Sequence, residues 1–239
     1  MKKSLVLLLI SSLVSGLYAR QPRTVVEPPF AFRNSGTLEI ERIELALEST
    51  TVYIQAYFRP HNWIRISSET YIRAGAEGEK LTVRSADGMP LDTEFYMPET
   101  GRHDFSLSFP PVDPKTAKID LIESDCPDCF KIYDIDLTGK KAKPGRSALA
   151  KKYKKTVPLT ENFTAPIVSD SPARIAGAIT GYDPRFFDRI EIAFYSPIVG
   201  DGATELKVPV HADGSFETEL NILTPICGTL FLPGFVTLP

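Results

Sequence analysis

The chain has 239 residues but only one tryptophan, three histidines and three cysteines, so it holds few parts from which to assemble a catalytic centre. His61, His103 and His211 are scattered, and no two stand at the spacing of a zinc site. The sequence contains no glycine-rich phosphate loop and no Gly-x-Ser-x-Gly elbow, so no motif calls for a nucleotide, a hydrolase nucleophile or any cofactor. A net charge of -3 lacks the basic footprint that phosphate backbones demand, which argues against nucleic acid as a partner. After the N-terminal segment no run reaches the roughly 20 apolar residues of a spanning helix, so the chain is read as not membrane-spanning. Long helical periodicities are scarce, and twenty prolines point instead to strands and turns.

What is present begins at the N-terminus. Met1-Lys2-Lys3 precedes the apolar run Ser4-Leu5-Val6-Leu7-Leu8-Leu9-Ile10, which Ser11, Ser12 and Ser15 then interrupt. Ala19 stands just before the polar Arg20 and Gln21. Lysines, a short apolar stretch and a small residue at the boundary make residues 1–20 a secretory signal peptide, with cleavage expected after Ala19. No cysteine lies near the cut, which disfavours a lipid anchor. The mature chain is therefore expected in a periplasm or otherwise outside the cytoplasm, where three cysteines allow one disulfide and leave one sulfur over.

Residues 21–139 read as a string of strands. Val52, Ile54, Ala56 and Phe58 alternate with Tyr53, Gln55 and Tyr57, the period-two pattern of a half-buried strand. Leu38 and Ile40, then Leu81-Thr82-Val83, then Phe105, Leu107 and Phe109, then Ile119 and Leu121, then Phe130, Ile132, Ile135 and Leu137 repeat the theme. Asp87-Gly88, Glu99-Thr100-Gly101 and Pro110-Pro111 punctuate it. About seven short strands at this spacing predict a β-sandwich of the immunoglobulin-like kind. Residues 140–171 form a basic, turn-rich linker with room for a short helix over residues 147–153. From residue 172 alternation returns at Ile175 to Ile179, Ile190 to Phe194 and Leu206 to Val210. Asp213-Gly214-Ser215 supplies a hairpin signal. The expected fold is all-β: two sandwiches joined by a basic linker, the second smaller one over residues 172–239. Its apolar end, Phe235-Val236-Thr237-Leu238-Pro239, suggests a chain cut from a longer protein.

The sharpest chemical motif is Cys126-Pro127-Asp128-Cys129. Two cysteines separated by two residues are the working unit of thiol–disulfide enzymes, with Cys126 as nucleophile and Cys129 as resolving thiol. Ile119-Asp120-Leu121-Ile122 would be the leading strand, and Thr156-Val157-Pro158 resembles the turn that flanks the disulfide in glutaredoxins. The opposing reading is a hairpin tip. Residues 130–137 alternate like a strand, whereas an activated cysteine needs a helix N-terminus. Glu123, Asp125 and Asp128 surround the sulfurs in sequence and disfavour a thiolate. In that reading Cys126 and Cys129 form a structural disulfide or a reduced pair. Separately, Tyr53, Tyr57, Trp63 and Tyr71 are candidates for an aromatic platform binding a glycan or peptide, against the plainer reading of cross-strand packing.

Phe105-Ser106-Leu107-Ser108-Phe109-Pro110-Pro111, Ile119-Asp120-Leu121-Ile122-Glu123 and Phe130-Lys131-Ile132-Tyr133-Asp134-Ile135-Asp136-Leu137 together resemble part of a known architecture. It is the N-terminal β-domain of exported thioredoxin-like proteins of the TlpA type. Trp63-Ile64-Arg65-Ile66 and Thr70-Tyr71-Ile72 are similar to its middle. Ala173-Arg174-Ile175-Ala176-Gly177 and Asp213-Gly214-Ser215-Phe216-Glu217 resemble the second β-domain of the same proteins. The resemblance implies that redox chemistry belongs to a separate thioredoxin-like domain, to which nothing in this sequence corresponds. The hairpin cysteines then belong to an accessory region. The sequence departs from the family where Leu230-Phe231-Leu232-Pro233-Gly234 runs on into an apolar rather than a polar strand. The expected function is a non-catalytic scaffold or binding region for a protein or cell-envelope component. The alternatives are a small thiol–disulfide oxidoreductase and a carbohydrate- or peptide-binding module.

Overall fold

The computed structural model describes residues 22–126, 129–139, 171–179, 181–195, 203–221 and 227–234. Residues 1–21, expected to hold a signal peptide, residues 140–170 with the expected linker and the Thr156-Val157-Pro158 triplet, Pro127, Asp128 and residues 235–239 lie outside the described residues. Among the described residues every regular element is a strand and every pairing antiparallel. The protein is all-β, built as a β-sandwich.

The first strand set comprises β1 (Arg23–Val26), β2 (Phe32–Arg33), β3 (Leu38–Leu45), β4 (Thr50–Tyr57), β5 (Trp63–Ile64) and β6 (Tyr71–Arg73). It continues with β7 (Leu81–Thr82), β8 (Ser85–Asp87), β9 (Phe95–Tyr96), β10 (Arg102–Phe109), β11 (Lys118–Ile122) and β12 (Lys131–Asp136). Two five-stranded sheets form, in the orders β1-β3-β4-β10-β8 and β2-β12-β11-β6-β7, with β5 and β9 as a separate ribbon. Alternation explains the facing. Val52, Ile54 and Ala56 turn inward from β4, and the register Phe105↔Ile54 and Leu107↔Val52 sets the inward residues of β10 beside them. They pack in one core with Ile72, Ile119, Leu121, Ile132 and Ile135 of the opposite sheet. Thr50 is buried with them because its hydroxyl accepts the Val112 N–H at 3.1 Å.

The second set comprises β13 (Ala173–Ala178), β14 (Arg189–Tyr195), β15 (Ala203–Pro209), β16 (Ser215–Leu220) and β17 (Gly228–Phe231). Here β13 pairs with β16, and β15-β14-β17 forms a second layer over a small core of Ile190, Ile192, Phe194, Val208 and Leu220. The turn at Asp213-Gly214 forms, but it is not the tip of a paired hairpin. It carries the chain from β15 in one layer to β16, whose partner is β13. Gly214 has φ of 82°, and a Cβ there would lie 2.6 Å from the Ile179 carbonyl oxygen, so the crossing requires glycine.

The strand β11 departs from simple alternation. Ile119, Asp120, Leu121 and Ile122 are all buried. Ile119 and Leu121 face the sandwich core, while Ile122 joins Phe32, Tyr71 and Tyr133 on the other side of the sheet. What covers that outer side is a turn of the second set. Asp183-Pro184-Arg185-Phe186 closes with the Phe186 N–H donating to the Asp183 carbonyl at 2.9 Å, and Pro184 presets the backbone at the second position. Phe186 stacks on Phe32 with centroids 4.9 Å apart, and Phe187 lies 5.7 Å from the same ring. Arg185 reaches past the Tyr133 ring to Asp120 at 3.1 Å and Asp134 at 3.2 Å.

Asp120 is fully buried, so its charge needs compensation from every side. Arg73 of β6 donates at 3.2 Å, Arg185 at 3.1 Å, and the backbone N–H of Asp134 at 3.0 Å. The last donor is available because β12 bulges: Ile119 pairs with Ile135 but Leu121 with Ile132, leaving one extra residue on β12. Asp134 takes φ of 55° in that bulge. Asp120→Ala should deprive Arg73 of its carboxylate in a partly buried site, leave Arg185 with only Asp134 and Asp183, and destabilise the fold by about 3–5 kcal/mol. Urea denaturation of parent and variant measures that loss, and a change below about 1 kcal/mol would show the carboxylate to be dispensable.

Candidate functional site

The Cys126–Cys129 hairpin stands at the end of β11 and β12. The Glu123 N–H donates to the Phe130 carbonyl at 3.0 Å, and the Phe130 N–H donates to the Glu123 carboxylate at 3.4 Å, which closes the base of the loop. Above that base Cys126 and Cys129 are joined in a disulfide, with Cα atoms 5.3 Å apart. Ser124 braces the ring: its hydroxyl accepts the Cys126 N–H at 3.3 Å and lies 3.2 Å from the Cys129 sulfur. Asn34 fastens the other side, its amide donating to the Cys129 carbonyl at 2.8 Å and its side-chain oxygen accepting the Lys131 N–H at 2.7 Å.

Of the acidic residues named from the sequence, Glu123 closes the base of the loop, Asp125 is held by its own partners, and Asp128 lies outside the described residues. Asp125 accepts from Lys80 at 2.7 Å and from the Tyr71 hydroxyl at 3.0 Å. The bond from Lys80, and then that from Tyr71, hold its carboxyl below the usual aspartate range. Burial, and then the hydrogen bond to Asp125, push the Tyr71 hydroxyl above its usual value. The strand before the motif, β11, runs antiparallel to both β6 and β12, so the leading strand of a glutaredoxin-like unit is not what Ile119 to Ile122 form. Cys227 is free and exposed.

Beside the hairpin lies a shallow cleft of about 220 Å³, lined by Ser35, Thr37, Phe58, Arg65, Glu123 and Phe130. Burial holds the Glu123 carboxyl above the usual glutamate range, against the lowering effect of the Phe130 and Ser67 backbone and the Arg65 charge. A larger cleft of about 350 Å³ occupies the opposite end of the β3–β4 hairpin, walled by Leu45, Leu47, Pro111 and Pro114 with Arg23 and Asp113 at its rim.

The four aromatic residues named from the sequence do not share a face. Tyr53 and Tyr57 lie on the outer side of β4, with Arg42 set 3.4 Å above the Tyr53 ring and the Tyr57 hydroxyl donating to Gln55. Tyr71 is 4% exposed and packs under Phe186 and Phe187 on the other sheet. Trp63 is 46% exposed in the β5–β9 ribbon, directly opposite Tyr96 at 61%. Trp63 and Tyr96 therefore make a cross-strand pair of exposed rings, while Tyr57 and the following Phe58 are exposed on another strand end. Sequence reasoning passed over Tyr96 because a two-residue strand carries no periodicity.

No family model, no curated protein and no solved structure matches the chain.

Among the described residues no group of three or more histidine, cysteine, aspartate or glutamate side chains is placed to hold a metal ion. Nor is any described helix long and apolar enough to cross a membrane. Of the histidines, His103 stacks on Phe95 at 4.1 Å and contacts the Gly88 carbonyl at 2.9 Å, a packing role. Arg185, Asp120 and the Phe186-Phe187 pair were the residues that sequence reasoning missed. A lone aspartate within an apolar strand was the available signal.

Glu123 yields a pH test. Its carboxyl titrates higher folded than unfolded, so its contribution to stability is full below the unfolded value of about 4.3 and is lost as pH rises through the folded pKa. Glu123→Gln removes that loss. The stability difference, read by urea denaturation, should move in the variant's favour between about pH 4 and pH 7. A difference independent of pH would place the Glu123 carboxyl in ordinary solvent.

Proposed function

We propose that the chain is a non-catalytic, exported scaffold or binding region, the accessory β part of a thioredoxin-like thiol–disulfide reductase of the TlpA type. The observation that carries this reading is the position of the Cys126–Cys129 pair. It closes an antiparallel hairpin, next to a serine hydroxyl, and the chain leaves it along β12. A reactive thiolate is stabilised by a helix N-terminus or an adjacent cation. Among the described residues no helix forms, and the Cys129 sulfur's hydrogen-bonding neighbour is the Ser124 hydroxyl. Lys80 is engaged by Asp125. Export rests on the lysine-led apolar segment of residues 1–20.

Contacts with a protein partner would run along sheet edges, where strand addition is the natural mode. The edge strand β17 suits this role. It is uncharged, and Leu230, Phe231 and the following Leu232 are 43%, 51% and 50% exposed.

The test is the thiol chemistry of the mature protein carrying Cys227→Ser. The scaffold reading expects a thiol pKa at or above about 8.5 and no turnover of a protein disulfide substrate. A thiol pKa near or below about 7, with a potential between about -270 and -120 mV, would replace it with an oxidoreductase using Cys126 as nucleophile.

The Trp63 and Tyr96 pair favours a second reading, a module that binds glycans or peptides against exposed rings. Glycan-array binding that disappears on Trp63→Ala would support it. A blank array for the parent protein would remove it.

A further inference from the structure

The outer face of the β2-β12-β11-β6-β7 sheet seats the Arg185-Phe186-Phe187 segment, and the disulfide hairpin is tied to that seat by two separate routes. On one side Asp125, the residue before Cys126, holds the Tyr71 hydroxyl at 3.0 Å and Lys80 at 2.7 Å. Lys80 in turn lies 4.6 Å from the centre of the Tyr71 ring. Tyr71 packs with Ile122, Phe32 and Tyr133 against Phe186 and Phe187. On the other side the Cys129 carbonyl accepts from Asn34, two residues beyond Phe32, the ring on which Phe186 stacks. The Asn34 N–H also donates to the Lys131 carbonyl, and the Ala31 N–H donates to that of Tyr133, so β2 is held along its length by the strand that leaves the hairpin. Both anchors are set by residues at or next to the sulfurs.

We propose that the Cys126–Cys129 disulfide is a redox-sensitive fastener for this seat, tightening the grip of the first strand set on Arg185, Phe186 and Phe187 when closed and loosening it when reduced. The closed ring restricts the loop and keeps Asp125 and the Cys129 carbonyl at a fixed spacing, so both anchors persist together. The reductant is a dithiol. Its thiolate attacks one sulfur, forms a mixed disulfide and expels the other sulfur as a thiolate, which takes up a proton. The second thiolate of the donor then breaks the mixed disulfide. Cys126 and Cys129 end as thiols and the donor as a disulfide, with two electrons and two protons transferred. With the ring open, Asp125 and Asn34 lose their common constraint and the aromatic seat loses support from both sides. Arg185 keeps its bonds to Asp120 and Asp134, so the change is a looser seat rather than complete release.

This goes beyond the scaffold reading and can fail without it, because it concerns packing and not turnover. Hydrogen exchange read by mass spectrometry on the mature protein with Cys227→Ser, oxidised and then reduced with dithiothreitol, tests it. Reduction should speed exchange over residues 182–190 and over β6 by about tenfold while β4 and β10 keep their protection. The double variant Cys126→Ser/Cys129→Ser should show the fast pattern without reductant and no response to it. Asp125→Asn, with the disulfide intact, should speed exchange in β6 and residues 182–190 by a smaller factor. Equal exchange in the oxidised and reduced protein would overturn the proposal, and so would acceleration spread evenly over β4 and β10. Should the double variant fail to fold, reduction of the parent and Asp125→Asn still decide between these outcomes.

Discussion

A carboxylate with no access to water, Asp120, governs how the strands of this protein are arranged. Its position in the middle of β11 makes it costly unless every lone pair is used, and three donors from three places converge on it. Arg73 ties β6 to β11, the Asp134 N–H ties the bulge of β12 to the same strand, and Arg185 ties the second strand set to the first. Arg185 itself is held by Asp183 on its own turn. That bond, the charge of Asp120 and the bond to Asp134 raise its pKa against the lowering effect of burial. The guanidinium therefore stays charged at any pH the fold survives, and the joint has no titrating cation to weaken it.

Around that charge sits an aromatic layer. Phe32, Tyr71 and Tyr133 present their rings on the sheet's outer face, and Phe186 and Phe187 cover them. Aromatic pairs contribute about 0.5–1.5 kcal/mol beyond area burial, so the layer supplies cohesion while the ions supply position. Exclusion of water by the rings also strengthens each Asp120 contact, since charge interactions grow as the local dielectric falls. The disulfide hairpin occupies the rim of the same layer, and its Asp125 satisfies the Tyr71 hydroxyl that burial would otherwise leave wanting.

How much of this was legible in the sequence follows from the kind of signal each part leaves. Val52, Ile54 and Ala56, or Phe105, Leu107 and Phe109, face a core on one side and solvent on the other, so their strands were readable from alternation alone. The ribbon strands β5 and β9 and the short β2 are too brief to show a period, and β1 sits just before Pro28-Pro29, where turn composition masks it. Ile119 to Ile122 misled for a different reason. A strand covered on both faces reads as a nearly continuous apolar run, and its one aspartate gives no hint of which distant arginine neutralises it. The turn Asp183-Pro184-Arg185-Phe186 looks like ordinary surface punctuation, although its Arg185 and Phe186 and the following Phe187 make the contact between strand sets. The tyrosines were correctly placed on strands, but Tyr53 and Tyr71 belong to different sheets. Sheet membership is a property of long-range pairing that no local window carries.

The choice of an ionic rather than an apolar joint has a physical rationale. Two smooth hydrophobic faces can slide over one another with little change in buried area, whereas Arg185 satisfies Asp120 and Asp134 only in one placement. A shift of two residues along the outer face of β11 would exchange Asp120 for Lys118 or Ile122 and set the guanidinium against a like charge or hydrocarbon. The ion network thus contributes less to stability than a well-packed apolar contact would, but it penalises every wrong seating by several kcal/mol. Positional discrimination of this kind, rather than added adhesion, is what fixes the relative placement of the two strand sets. The bulge at Asp134 fits the same logic. Its positive φ costs about 1–3 kcal/mol. In return the N–H that completes Asp120 comes from the backbone of the neighbouring strand, where no rotamer change can withdraw it.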